Sequence, residues 1–457
     1  MYPHRLTRLL VLAAFLIVSA GCASKGRPLM PTPLIYQSAG APALFTEPAS
    51  GPTSVDLLYL TDRGPPTADE DPSLKYGESR GHRIAFGSAK VLLEPDRGWK
   101  ALETQSRLGK RTEPITMELG RVHELGAFPK EPYDVELLPT GNIIRAPAVE
   151  ASHDRATAQL EAEIDRRLAE TPSREIVLFI HGFNETFASA AYTAAELCHF
   201  LGREHLCAFF TWPASHTGNF LISYTTTTES ATYAVPHLTK MIRLLASRPG
   251  VERVHVLAHS RGTAVALDAL YQLIVETVAS HRDPVDALHL GEIMLFSPDV
   301  DLDIAAQRVT TYLSDPALIT AWPEDRLPRA IHGHLTIYTS PNDRALSISR
   351  VLFRSRDRLG QISADDLPLE GQKFLAKLGK TDVITYEGKR TDPFGHSYFT
   401  SNPEVSSDLI ERIRYRKRLG EPGRRLIKTG PVTWEFPPDT ARASTPNGSA
   451  PAAGARP

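Results

Sequence analysis

With three cysteines in 457 residues, the chain cannot be a disulfide-dense scaffold. Those three have no C-x-x-C spacing, and no His-Glu-x-x-His run occurs, so neither usual zinc signature is present. A Gly-rich phosphate or dinucleotide loop is also missing, and no cofactor is expected. Charge of one sign is lacking: 51 basic residues stand against 53 acidic ones, which gives no footprint for nucleic acid. No internal repeat is visible. The apolar run Leu9–Val18 has ten residues, too few to cross a bilayer.

What is present begins with an export pattern. His4, Arg5 and Arg8 precede Leu9–Val18, and Ser19-Ala20-Gly21-Cys22 follows. This resembles a bacterial lipoprotein signal over residues 1–21; an ordinary cleaved signal and a non-cleaved anchor are the competing readings. The resemblance implies that Cys22 becomes the lipidated first residue of the mature chain, anchored to a membrane without a spanning helix. Ala23-Ser24 after it implies the outer membrane, facing the periplasm. Residues 22–51 are rich in Pro, Ala and Ser and read as a flexible tether. Residues 52–148 carry short strand patterns such as Val55–Thr61 and Arg83–Leu93. They read as a β-rich N-terminal region packed on the main domain, with a separate binding module as the alternative. Residues 431–457 read as a disordered tail.

Residues 149–430 alternate strand and helix. Glu175–Ile180, Leu206–Thr211, Val251–His259, Glu292–Phe296, Leu335–Thr339 and Val383–Tyr386 are short apolar runs, with helical patterns between them. That order predicts an α/β fold with a mainly parallel sheet covered on both faces. In such sheets chemistry collects beyond the carboxyl ends of the strands. The polar motifs of this chain fall at those ends.

Ala258-His259-Ser260-Arg261-Gly262 joins a strand to a helix and reads as a nucleophile elbow, with Ala258 where Gly is usual. The competing reading is a Ser that caps a helix. A serine hydroxyl needs a base, an acid that orients the base, and donors for the oxyanion. His396, in Gly395-His396-Ser397-Tyr398 after the last strand, is the candidate base. Asp343 and Asp299 each follow a strand upstream of it and are the candidate acids; each is also a good helix cap. His181-Gly182-Phe183-Asn184 ends the earlier strand. The amides of Phe183 and Arg261 are the candidate oxyanion donors, with His181 a hydrogen-bonding residue of the framework. The Arg261 side chain has two readings, a local salt bridge or a partner for a substrate anion. Cys198 and Cys207 form either a disulfide or two buried thiols.

Leu178–Asn184, Ala258–Gly262, Ser297-Pro298-Asp299-Val300-Asp301, Asn342–Leu346, Gly395–Tyr398 and Tyr59–Arg63 together resemble an uncharacterised bacterial α/β-hydrolase family. The likeness runs over roughly residues 55–400. It implies the α/β-hydrolase fold and favours the later acid, Asp343, over Asp299. The expected activity is a serine hydrolase acting on carboxylic esters or related acyl compounds, small molecule or lipid. An acyltransferase built on the same residues is one alternative. A lipid-anchored binding protein on a hydrolase fold is another.

Overall fold

The computed structural model describes residues 26–38, 40–46, 51–94, 97–214, 220–314, 317, 330–353 and 357–438. Cys22 and the signal pattern before it lie outside them.

The strands are β1 (Arg27–Pro28), β2 (Ser54–Arg63), β3 (Arg80–Leu93), β4 (Thr116–Ala127), β5 (Val135–Leu137), β6 (Ile143–Arg145), β7 (Glu175–Ile180) and β8 (Leu206–Thr211). They continue with β9 (Arg253–His259), β10 (Leu290–Phe296), β11 (Leu335–Thr339), β12 (Thr381–Thr385), β13 (Ile427–Lys428) and β14 (Thr433–Glu435). Twelve of them form one sheet in the order β1-β4-β3-β2-β8-β7-β9-β10-β11-β12-β14-β13. From β2 to β14 in that order the neighbours run parallel, and antiparallel pairs close both ends. β5 and β6 pair separately as a hairpin. β9 lies inside the parallel run, between β7 and β10.

The central strands are apolar throughout because both faces of the sheet are covered. Successive side chains of a strand point to opposite faces. Ile176, Leu178 and Ile180 of β7 enter one core, and Val177 and Phe179 enter the other. β8 divides in the same way, with Leu206, Ala208 and Phe210 against Cys207 and Phe209. The first core is closed by α2 (Pro147–Glu170), α4 (Phe220–Ala246) and α5 (Gly262–Ala279), through residues such as Leu160, Leu238 and Leu270. The second is closed by α1 (Gly98–Arg107), α3 (Phe187–Phe200) and the helix Pro403–Ile413, through residues such as Leu102, Ala191 and Leu409. Cys198 at the end of α3 and Cys207 in β8 are joined as a disulfide, which ties that helix to the sheet.

Three expectations need correction. Residues 22–51 are not a tether throughout. Arg27 and Pro28 pair with β4, and Leu29, Met30, Tyr36 and Leu44 are buried in the second core. Arg27 also donates to Glu196 at 2.6 Å, and the Tyr36 hydroxyl donates to the Phe200 carbonyl at 2.7 Å. Second, β2 to β4 are not a region packed on the main domain. Leu58–Thr61 pair with Ala208–Thr211, so they extend the same sheet. Third, the segment after residue 430 is not wholly a tail, since Thr433–Glu435 pair with Val383–Thr385.

Candidate active site

Ser260 stands between β9 and α5 with φ +52°, a left-handed backbone that non-glycine residues rarely adopt. Such strain at a strand-to-helix turn is the geometry of a nucleophile elbow. The Ser260 amide donates to the Phe296 carbonyl of the next strand (2.9 Å), and its own carbonyl accepts from the Thr263 hydroxyl (2.6 Å). Gly262 is needed for contact: a Cβ there would lie 2.1 Å from the His181 carbonyl oxygen. Ala258, two residues before Ser260, is fully buried and pairs with Ile180 and Leu295, so one methyl is accommodated.

The loop after β7 runs against this turn. A Cβ on Gly182 would stand 2.6 Å from Ser260 Cβ and 3.2 Å from its Oγ. Phe183 follows Gly182 directly, while Arg261 is the N-cap of α5, at the end where backbone N–H groups have no intrahelical partner. His181 has both ring nitrogens engaged. Nε2 accepts from the Trp212 amide (3.1 Å), and Nδ1–H donates to the Gly182 carbonyl (2.9 Å). Its ring stacks on Trp212. Burial, reinforced by the Arg63 charge, pushes its pKa well below the usual value, so it is a neutral part of the framework. Arg63, at the end of β2, donates to the Glu185 carbonyl (2.5 Å), Thr211 Oγ1 (2.8 Å) and the Gly77 carbonyl (3.0 Å). This buried guanidinium pins the loop that carries Phe183.

His396 is positioned by its backbone as much as by its ring. Its carbonyl accepts from His259 Nε2 (3.1 Å) and Ser297 Oγ (3.0 Å), and its amide donates to Asp392 Oδ1 (3.2 Å). His259 is the residue before Ser260, and its ring centroid is 4.7 Å from that of His396. Nδ1–H of His396 donates to Asp343 Oδ2 at 2.6 Å. Asp343 is fully buried, and its Oδ1 accepts from the Leu346 amide (3.1 Å) at the start of the helix Arg344–Phe353. The capping and ring-orienting readings of this carboxylate therefore hold together, one oxygen for each. Burial pulls the His396 pKa down, but the charge and hydrogen bond of Asp343 outweigh it, and the net direction is upward. Among the described residues Ser260 Oγ makes no hydrogen bond.

Asp299 is held elsewhere. It accepts from the Tyr224 hydroxyl and from Ser349 Oγ (2.5 Å), with Arg261 Nη2 at 3.6 Å and Arg358 Nε at 3.5 Å. Burial opposes its ionisation, yet the two guanidinium groups keep its pKa below the ordinary range. Of the two Arg261 readings, the local one is what the geometry shows. The guanidinium donates to the Asp299 carbonyl (3.2 Å) and to the Tyr224 hydroxyl (2.9 Å), and it lies over the rings of Tyr224 and Phe353. The Tyr224 ring meets that of Phe183 edge-on at 5.1 Å. One buried cluster thus braces both Phe183 and Arg261.

Arg63, Tyr224, Ser297 and Asp392 were not singled out for these roles from sequence. A charged pair closing an apolar strand, Asp62-Arg63, was the one available signal. A cavity of about 390 Å³ reaches His259 and Phe399 from the side of the N-terminal segment, with Arg27–Pro31 in its wall.

Residues 156–414 match the family described as "Alpha/beta hydrolase of unknown function (DUF900)". No curated protein matches the chain. Similar solved structures include an esterase of Pyrococcus furiosus, 14% identical, covering 53% of this chain and 82% of that one, with a TM-score of 0.27. Esterase B of Lactobacillus rhamnosis, solved with a tributyrin phosphonate inhibitor, is 13% identical over 60% of this chain and 95% of its own, with a TM-score of 0.29. A phospholipase of Legionella pneumophila is 12% identical over 50% of this chain and 42% of its own, with a TM-score of 0.20. The family match spans more than half of the chain and contains the strands that carry Ser260, Asp343 and His396; the protein belongs to this family of α/β hydrolases.

Proposed function

We propose that this α/β hydrolase is a serine hydrolase of carboxylic esters or related acyl compounds, with Ser260 as nucleophile, His396 as base and Asp343 as acid. The observation that carries the reading is the 2.6 Å bond from His396 to Asp343, together with the left-handed backbone of Ser260 and the 4.7 Å between the His396 ring and that of His259, the residue before Ser260. In this reading Asp343 fixes the proton on Nδ1, which leaves Nε2 to accept the Ser260 proton. The serine oxygen adds to the substrate carbonyl, and the Phe183 and Arg261 amides receive the oxyanion. The imidazolium then returns its proton to the leaving group. Water, activated by the same imidazole, cleaves the acyl enzyme. Catalytic hydrogen bonds often tighten only when substrate is bound, so the unbonded Ser260 Oγ is compatible with this role. The test is turnover of a short p-nitrophenyl ester. Ser260→Ala should reduce kcat to background with an unchanged melting temperature; undiminished turnover rejects the assignment.

The membrane attachment belongs to the same proposal. If Cys22 carries the lipid, only residues 23–26 separate it from β1, a span of at most about 18 Å. The sheet edge and the cavity wall at Arg27–Pro31 then lie close to the bilayer, a placement suited to an acyl substrate drawn from it. Globomycin or Cys22→Ala should release the protein from the membrane fraction, and unchanged attachment rejects lipidation.

A further inference from the structure

A second cavity, of about 500 Å³, lies at the opposite end of the sheet. Its lining comes from where strands begin: Glu175 opens β7, Arg253 opens β9, Glu292 is the third residue of β10, and Lys380 precedes β12. The chemistry proposed above uses the carboxyl ends, so this cavity is independent of it.

Its charge is one-sided. Arg253, Lys380, Arg412, Arg416 and Arg418 face it, against the two carboxylates Glu175 and Glu292, in a chain of net charge −2. Both carboxylates are already engaged. Arg412 grips Glu292 with two bonds of 2.7 Å, and Arg416 donates to Glu175 at 2.7 Å. The Glu292 amide donates to His255 Nδ1 (2.9 Å), so the proton of that ring sits on Nε2, which faces Glu175 at 3.2 Å. Arg253 meets backbone instead, donating to the Glu252 carbonyl. Among the described residues no ion pair joins Arg253 or Arg418 to a carboxylate.

Cations gathered around one concavity repel each other and concentrate the field there, which raises the local concentration of anions. Guanidinium groups match phosphate oxygens in a two-point fork. The volume is in the range of small-molecule sites, about 300–1,000 Å³. We infer that this cavity binds a phosphate-bearing ligand with two or more negative charges, remote from Ser260.

The experiment is calorimetry of the full chain with inorganic pyrophosphate. Saturable binding is expected, weakened about tenfold in Arg418→Ser and again in Arg253→Ser, the loss of one charge-assisted contact each. Arg418 is exposed, so its variant should keep the wild-type melting temperature. Vesicles of phosphatidylcholine with and without phosphatidate separate the sources. Phosphatidate-dependent binding that falls in both variants assigns a lipid headgroup, and pyrophosphate binding alone assigns a soluble ligand. Absence of both, or affinities equal to wild type in the two variants, overturns the proposal.

Discussion

Replacing Asp343 by Asn separates the two candidate acids and bears on the proton itself. Asp343 is fully buried, with Oδ1 on the Leu346 amide at 3.1 Å and Oδ2 on His396 Nδ1 at 2.6 Å. An Asn of the same shape must keep its oxygen toward Leu346, because its NH2 group there would face another N–H donor. The NH2 then points at His396, and Nδ1 has to become the acceptor. The imidazole proton moves to Nε2, which can no longer receive the serine proton. The fold should survive, while turnover falls about 10³–10⁴-fold, or about 4–5.5 kcal/mol of transition-state stabilisation. The acid limb should move as well. Asp343 holds the His396 pKa above its usual value, so wild-type activity should fall as pH drops through a midpoint above about 6.5. The assay is a pH profile of kcat/KM on a p-nitrophenyl ester, with melting temperatures. Asp299→Asn is the comparison. It weakens a buried ion cluster and should cost stability, by about 3–5 kcal/mol if its pairing is broken. If Asp343→Asn kept most of the activity and an intact Asp299→Asn kept none, the reasoning would be refuted.

The other outcomes follow from particular contacts. Tyr224→Phe removes a hydroxyl shared by Asp299 and Arg261 and loosens the brace behind Phe183 and Arg261; kcat should drop about tenfold with KM little changed, whereas a rise in KM alone would contradict a positioning role. His237→Gln strips the buried Asp62 of its 2.8 Å partner and should cost about 3–5 kcal/mol in urea unfolding. Burial lowers the His237 pKa, but Asp62 and Glu131 raise it to about 9, above its unfolded value. That contribution is complete below about pH 6.5 and is lost as pH rises through 9, so urea midpoints should fall across that window. Reducing Cys198–Cys207 opens a short loop and should lower stability by about 3 kcal/mol; an unchanged urea midpoint with dithiothreitol would contradict the bond.

Much of the frame was legible because buried parallel strands announce themselves as short apolar runs with polar ends. Glu175–Ile180, Leu206–Thr211 and Leu335–Thr339 are read from sequence with the same limits the structure gives. Other features depend on partners far along the chain. Leu29, Met30 and Tyr36 sit among Pro and Ala, and their burial is decided by Glu196 and Phe200 of a distant helix. Tyr224 lies in a polar, Thr-rich stretch whose local sequence does not point to the site. It is part of α4, and its hydroxyl reaches Asp299 over 75 residues. The two acids look alike locally, each following a strand. What assigns Asp299 to another cluster is Tyr224, Ser349 and Arg358, none of them near it in sequence.

The central claim is that Ser260 is a nucleophile activated by its surroundings, and a fluorophosphonate probe reads that property without knowledge of the substrate. Peptide mapping of the labelled wild-type protein should place the adduct on Ser260, and Ser260→Ala should take up no label. Equal labelling of the two proteins, or an adduct on another serine, would contradict the account.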